Sequence, residues 1–354
     1  SNMFWWYNMY ATTDYSVTPR PNYLADGRKI PDCYSHPSDL RDKLQNELGT
    51  FPLFHFWGPK TSIKSSQWIA DATIKTDQLY NPTLTLVYLP HLDYDLQRHG
   101  LDFKIISKDL NDIDGVVKQL VEHYQKQDTN VILLSEYGIT NVDNPIHLNR
   151  ILRKEGYLDI RIERGLELLD PGASKAFAVA DHQIAHIYLN DKSLVAKVKN
   201  LFEKIDGVER ILSGEELKEV KIDHYRCGDL VVLADNRSWF TYYFWLDDSK
   251  APDYARMVDI HKKPGYDPVE MLTDPKDVFV MPKVIGKLIK KKLGFRTVMN
   301  IIPLKAELVK GSHGRIPEDF DDYPILITNN KGLALEENIK PTHVFEVIET
   351  HVNI

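Results

Sequence analysis

Through the first two hundred residues, short continuous apolar runs alternate with segments whose apolar residues recur at helical spacing. The runs PLFHFW (52–57), LTLVYL (84–89) and VILLSE (131–136) read as strands covered on both faces, because they lack the polar alternation of a half-exposed strand. Between the last two, Leu110, Ile113, Val117, Leu120, Val121 and Tyr124 keep the 3.6-residue period, with Ser107 placed to cap the helix. A second helix is predicted from Asn144 as cap, Pro145 in the first turn, Leu148, Ile151 and Leu152 on one face, and Gly156 as the stop. A third uses Leu40, Leu44 and Leu48 and ends before Gly49. Strand–helix–strand order predicts βαβ units and an α/β fold, with a mainly parallel central sheet and helices on both faces.

Further along, AFAVADHQIAHIYL (176–189) and GDLVVLAD (228–235) read as two more strands. Residues 239–282, rich in Pro, Asp and aromatics, read as an irregular insertion near the active face or as plain surface loop. Its aromatics Trp239, Phe240, Tyr242, Tyr243, Phe244 and Trp245 suit a core, with stacking on a base or sugar as the alternative. Ser213 and Glu216 form a capping box. Residues 283–296 read as an amphipathic surface helix carrying Val284, Ile285, Leu288, Ile289 and Leu293 opposite lysines, with an anion- or membrane-surface patch as the alternative. The opening MFWWY reads as a buried strand or tightly packed segment. With no repeat and no low-complexity linker, a single domain over residues 1–354 is expected.

A formal charge of -7 gives no general attraction to a nucleic-acid polymer or an anionic membrane, and leaves room for a local basic site binding a small phosphate ester. The two cysteines, Cys33 and Cys227, show no zinc spacing and no disulfide framework. No apolar run approaches the roughly 18 residues that span a bilayer, and the opening lacks the pattern of a signal peptide. A cytoplasmic protein is expected. P-loop, GxGxxG and GxSxG motifs are absent, which removes support for NTPase, dinucleotide-binding and serine-hydrolase readings.

Chemistry concentrates at strand ends, where ligands of open α/β sheets bind. The segment VYLPHLDYDLQRHG (87–100) gathers two histidines, two aspartates and a glutamine, and SEYG (135–138) follows the third apolar run. Carboxylates from two strand ends and a histidine from elsewhere suit a divalent cation, which takes anionic oxygen and imidazole nitrogen at about 2.0–2.2 Å in zinc sites.

Together with KGSHG (310–314), these segments resemble the alkaline phosphatase superfamily, and most closely its type I phosphodiesterase/nucleotide pyrophosphatase branch. That branch carries D-x-x-G-H-x-x-G, S-D-H-G and G-x-H-G in the same order. Aligning Gly100 with the first motif's last glycine places Asp93 on its aspartate and Gln97 on its histidine. Pairing Asp95 with His99 keeps the spacing but loses the glycine. Glu136 and Tyr137 fall on the second motif's aspartate and histidine, and His313 matches the third.

Gln97 is a neutral and poorer ligand than histidine, so His91 or His99 could substitute. His182 could supply the imidazole missing at Tyr137, the alternative being a core histidine bonded to backbone. His261 competes with His313. The resemblance therefore implies an alkaline phosphatase-like fold with metal ligands Asp93, Gln97, Glu136, His182 and His313. It implies zinc, or manganese or magnesium, and hydrolysis of a small phosphate ester by two-metal phosphoryl transfer. It places the aspartate and the hydroxyl nucleophile ahead of the first strand seen here. Thr50 and Thr61 lack the strand–loop–helix context, so the chain is expected to begin after the family's first βα units and to hydrolyse poorly by itself. A non-catalytic relative acting as a binding protein is the competing expectation.

Overall fold

A computed structural model describes residues 1–4, 13–25, 28–331 and 336–352. Trp5, Trp6 and Tyr7 of the apolar opening lie outside the described residues. Before them, Asn2–Met3 is a strand, and Met3 and Phe4 are buried. The chain falls into two compact units, and both mix helices with strands, giving the α/β class. The first unit comprises Ser1–Asp95, Phe103–Glu136 and Tyr323–Ile354; the second comprises Leu96–Asp102 and Tyr137–Asp322. Among the described residues, no helix is long and apolar enough to cross a membrane.

In the first unit, Asn2–Met3 lies between Ser16–Pro19 and Leu86–Val87 and is parallel to both, while Cys33–His36 adds an antiparallel edge. Helix Ser38–Leu48 buries Leu40 and Leu44, one turn apart, and stops at Gly49 with φ 78°. The apolar run at 52–57 is not a strand. It forms a 3-10 turn, Leu53–His55, that drives Phe51, Leu53 and Phe56 into the core beside Met3, Phe4, Trp68 and Ile69. Phe4 meets Phe51 at 4.6 Å between ring centroids, and Phe51 meets Trp68 at 5.2 Å. A run this short has no periodicity to separate strand from turn.

Helix Phe103–Gln125 begins a turn before the predicted cap because Ile106 is itself buried; Ser107 lies inside it and donates to the Lys104 carbonyl at 3.3 Å. Helix Ile63–Tyr80 packs against it through Ala70, Val116 and Leu120. The strand Ile132–Leu134 pairs with Leu326–Thr328, antiparallel, rather than with Leu86–Val87.

The second unit is built on an antiparallel sheet, in the order Ala176–Asp181, Ile184–Leu189, Leu230–Ala234, Val208–Leu212. The apolar stretch 176–189 is thus a hairpin rather than one strand. Its polar interruption is the turn, with His182 at φ 56°, the left-handed region that tight hairpin turns require. Every residue of Leu230–Ala234 is buried, as a strand covered on both faces demands.

Asn149, fully buried on helix Leu148–Lys154, closes the outer edge of the sheet. Its amide donates to the Ala178 carbonyl at 2.8 Å and its oxygen accepts from the Ala178 N–H at 2.7 Å. Asn144 and Pro145 lie in a strand, Asn144–Ile146, parallel to Ser238–Phe240, so the helix starts later than predicted. Proline is tolerated there because a two-stranded pair leaves an edge free of obligatory N–H donors.

The stretch 239–282 divides: residues 239–245 are core, whereas 246–250 and most of 273–282 are exposed. Trp239, Phe240, Tyr242, Tyr243, Phe244 and Trp245 are all buried, which removes the base-stacking alternative. The Lys263 ammonium is buried between the Asp267 and Glu270 carboxylates, at 2.6 and 2.8 Å, so the buried charges are paired. By contrast, helix Val280–Lys292 buries no residue, and Ile285 and Ile289 are more than half exposed.

Candidate functional site

The polar segment after Leu86–Val87 folds as a helix, His91–His99, with Pro90 just ahead of it and Gly100 at φ 67° closing it. Helical spacing of four places Asp93 and Gln97 on one face, a turn apart. Asp93 belongs to the first unit. Gln97 belongs to the second, where it is buried.

Within the second unit the ends of the first two motif segments, from Leu96 and from Tyr137 on, meet the third, although more than two hundred residues separate the first from the last. The Gln97 carbonyl accepts from the Lys310 N–H at 2.8 Å, and the Lys310 carbonyl accepts from the Val142 N–H at 2.9 Å. Gly311–Ser312 pairs antiparallel with Thr140–Asn141, joining the third motif to the strand that follows the second. Two motif glycines make these approaches possible. A Cβ on Gly311 would stand 2.2 Å from the Leu96 carbonyl oxygen, and one on Gly100 would stand 2.9 Å from that of Lys310.

His313 emerges from this junction into a column of rings. Tyr137 stacks on one side, with centroids 3.6 Å apart and planes 8° from parallel. His182 stands at 3.9 Å from His313, and Tyr266 at 4.1 Å from His182. The hairpin turn is tied to the same junction, since the Gln183 N–H donates to the His313 carbonyl at 2.8 Å. Burial, with an electrostatic contribution from His182, pushes His313 down to about 2, so its imidazole is neutral near pH 7.

The buried His182 sets its Nδ1 at 2.7 Å from the Asp181 carboxylate, and its buried Nε2 has no hydrogen-bond partner. A carboxylate receiving Nδ1–H fixes the tautomer and leaves the Nε2 lone pair outward, the arrangement of a metal-binding histidine. This orphaned nitrogen fits a divalent cation; the face-to-face rings aim their nitrogens along their own planes, so they are not a ready chelating pair.

The residues predicted as ligands are thus distributed unevenly. Gln97, His182 and His313 lie in the second unit with Tyr137. Asp93 and the exposed Glu136 lie in the first. His99 and His261 are exposed. Sequence reasoning missed Asp181 and Tyr266; the pair Asp181–His182 at the longest polar break in an apolar run was the available signal. It also missed a group in the first unit. There His91, Asp109 and Asp112 each place a ligand atom within 4.8 Å of the others, the one such three-residue group found among the described residues.

Residues 1–267 match the family model for type I phosphodiesterase/nucleotide pyrophosphatase. None of the curated proteins matches the chain. Among solved structures, phosphonoacetate hydrolase from Sinorhizobium meliloti 1021, in complex with phosphonoformate, is similar at 12% identity and TM-score 0.48, over 87% of this chain and 60% of that one. Murine ectonucleotide pyrophosphatase/phosphodiesterase 5 is similar at 14% identity and TM-score 0.47, over 84% of this chain and 60% of that one. The chain therefore spans about three fifths of the length of these structures.

Proposed function

The chain belongs to the type I phosphodiesterase/nucleotide pyrophosphatase family, and from that premise we propose that it serves divalent-metal-dependent hydrolysis of a small phosphate ester, whether phosphodiester, pyrophosphate or phosphomonoester. The observation that supports this reading is the meeting, within the second unit, of the ends of the first two motifs, at Gln97 and Tyr137, with the third motif at Lys310 and His313. The ligands proposed are Asp93, Gln97, Glu136, His182 and His313, and the metal is zinc, with manganese or magnesium as alternatives. A bound cation would polarise a phosphoryl oxygen and offset the charge that develops on it.

The chain's own contributions follow from its geometry. Asp181 holds the His182 tautomer with Nε2 free. Tyr137 and Tyr266 cover the outer faces of the two imidazoles and keep water from them. His313, neutral near pH 7, offers a lone pair without first losing a proton. No residue of the chain is assigned as nucleophile. The free thiols Cys33 and Cys227 support a cytoplasmic setting.

A non-catalytic relative is the second reading, favoured by Gln97 and Tyr137 standing where the family motifs carry histidine. Elemental analysis of the purified chain separates the two when paired with turnover of bis(4-nitrophenyl) phosphate and 4-nitrophenyl phosphate. Hydrolysis by the parent, with loss of bound metal and of activity in Asp93→Ala/His313→Ala, is the result expected of the hydrolase. Absence of turnover with zinc, manganese and magnesium in turn would overturn it in favour of the binding protein.

A further inference from the structure

We propose that the first unit holds a divalent cation between helices His91–His99 and Phe103–Gln125, on His91, Asp109 and Asp112, apart from the residues proposed for hydrolysis. His91 opens the first helix. Asp109 and Asp112 sit three apart on the second and so share a face.

Two independent observations carry the site. One is the convergence of the three donor atoms within 4.8 Å. The other is the state of His91: the residue is 3% exposed, and neither ring nitrogen has a hydrogen-bond partner. Asp109 Oδ1 stands 3.2 Å from Nε2, an ion-pair contact when His91 is protonated. A buried polar group left in this condition costs free energy comparable to a lost hydrogen bond, and a cation on Nε2 removes that cost.

The surroundings are anionic. Asp95, one turn beyond His91, acts on Asp109 with its negative charge and a hydrogen bond. Lys108 supplies the nearest opposing charge, as an ion pair with Asp112, and its side chain is 77% exposed. Three carboxylates and a buried imidazole, against one solvent-facing ammonium, leave an excess of negative charge. One nitrogen and two or three carboxylate oxygens suit a borderline cation such as Zn2+, with Mn2+ next; Mg2+ and Ca2+ favour all-oxygen sites. Bound there, the ion would clamp the start of one helix to the first turns of the other.

The test uses the full chain, stripped of metal with a chelator and titrated with Zn2+ in a calorimeter. Titrations are run in a His182→Ala/His313→Ala background, so that the ring column of the second unit contributes nothing. That background is expected to keep one Zn2+ per chain. Adding His91→Gln or Asp109→Asn is expected to weaken binding at least tenfold. Asp112→Asn, at a partly exposed position where a folding defect is not expected, should weaken it several-fold with an unchanged circular dichroism spectrum. Zn2+ should raise the melting temperature of the background chain and not that of its His91→Gln derivative. No Zn2+ bound by the background chain, or an unaltered isotherm in Asp112→Asn, would overturn the site. Neither result bears on turnover, which fails or succeeds separately.

Discussion

His91 and His313 are both withdrawn from water, but His91 faces carboxylates whereas His313 faces rings. Burial lowers the proton affinity of each. At His91 the charges of Asp109, Asp95 and Asp112 pull the other way, while at His313 the charge of His182 pushes further in the same direction. The first arrangement is a set of like charges around an unsatisfied imidazole, and it gains from a cation. In the second, tyrosine faces and backbone contacts hold two imidazoles without any ion, and the buried Nε2 of His182 is left unpartnered. A histidine near carboxylates and a histidine among aromatics are thus different devices, even in one chain.

The comparison breaks most severely if the junction beneath His313 is forced apart. Gly311→Ala sets a methyl group 2.2 Å from the Leu96 carbonyl oxygen, and that neighbour is backbone, which cannot rotate away. A loss of about 3 kcal/mol of stability is expected, the upper end of what an added methyl group costs in a packed site. Urea unfolding followed by circular dichroism measures it. A loss below about 0.5 kcal/mol, the range of neutral surface changes, would mean that the motif segments are not held as described.

What the sequence revealed of these regions depended on the kind of signal each one carries. Helix Ser38–Leu48 was legible to its ends because its leucines keep one period and Gly49 terminates it. The motif residues Asp93, Gln97, Glu136, Tyr137 and His313 were found by resemblance, and so was their order. Their environment was not. The segment 87–100 reads as a polar loop because three charged residues and three other polar ones mask the helical spacing that Tyr94 and Gln97 use when they bury. Asp109 and Asp112 were invisible for the converse reason: they occupy the polar face of a helix recognised by its apolar one, and only the fold brings His91 to them. Hairpin 176–189 hid its turn inside an apolar run, since nothing local marks His182 as the residue that takes a positive φ.

His147 sharpens the comparison with a buried imidazole that has a partner. Its Nδ1 lies 2.7 Å from Thr241 Oγ1, and its ring stacks on Tyr243. Burial, aided by the positive charges of Arg150 and Lys154 and opposed by Asp248, brings it down to about 4. The folded state therefore binds this proton less readily than the unfolded chain, whose histidine titrates near 6.5. The stabilisation is complete above about 6.5 and is lost as pH falls from there towards the folded value, with a slope of at most about 1.4 kcal/mol per pH unit. His147→Gln should flatten the dependence of urea midpoint on pH over that window in metal-free protein. An unchanged slope would assign the acid sensitivity to other groups.

The smallest expected effect lies at the edge of the carboxylate group. Lys108 and Asp112 are four residues apart on one helix, and Lys108 competes with any cation for the Asp112 oxygens. Exposed pairs of this kind are worth about 0–1 kcal/mol, so Lys108→Gln should tighten Zn2+ binding by at most about fivefold. The direction matters more than the size. A purely structural ion pair would make the substitution slightly destabilising and leave metal affinity alone, whereas a shared cation site makes the same loss of a lysine into a gain of affinity. Calorimetric titration of Lys108→Gln beside the parent, at low ionic strength where the competing charge acts most strongly, distinguishes the two. Weaker Zn2+ binding in the variant would show that Lys108 supports the site's geometry instead of opposing its ligand.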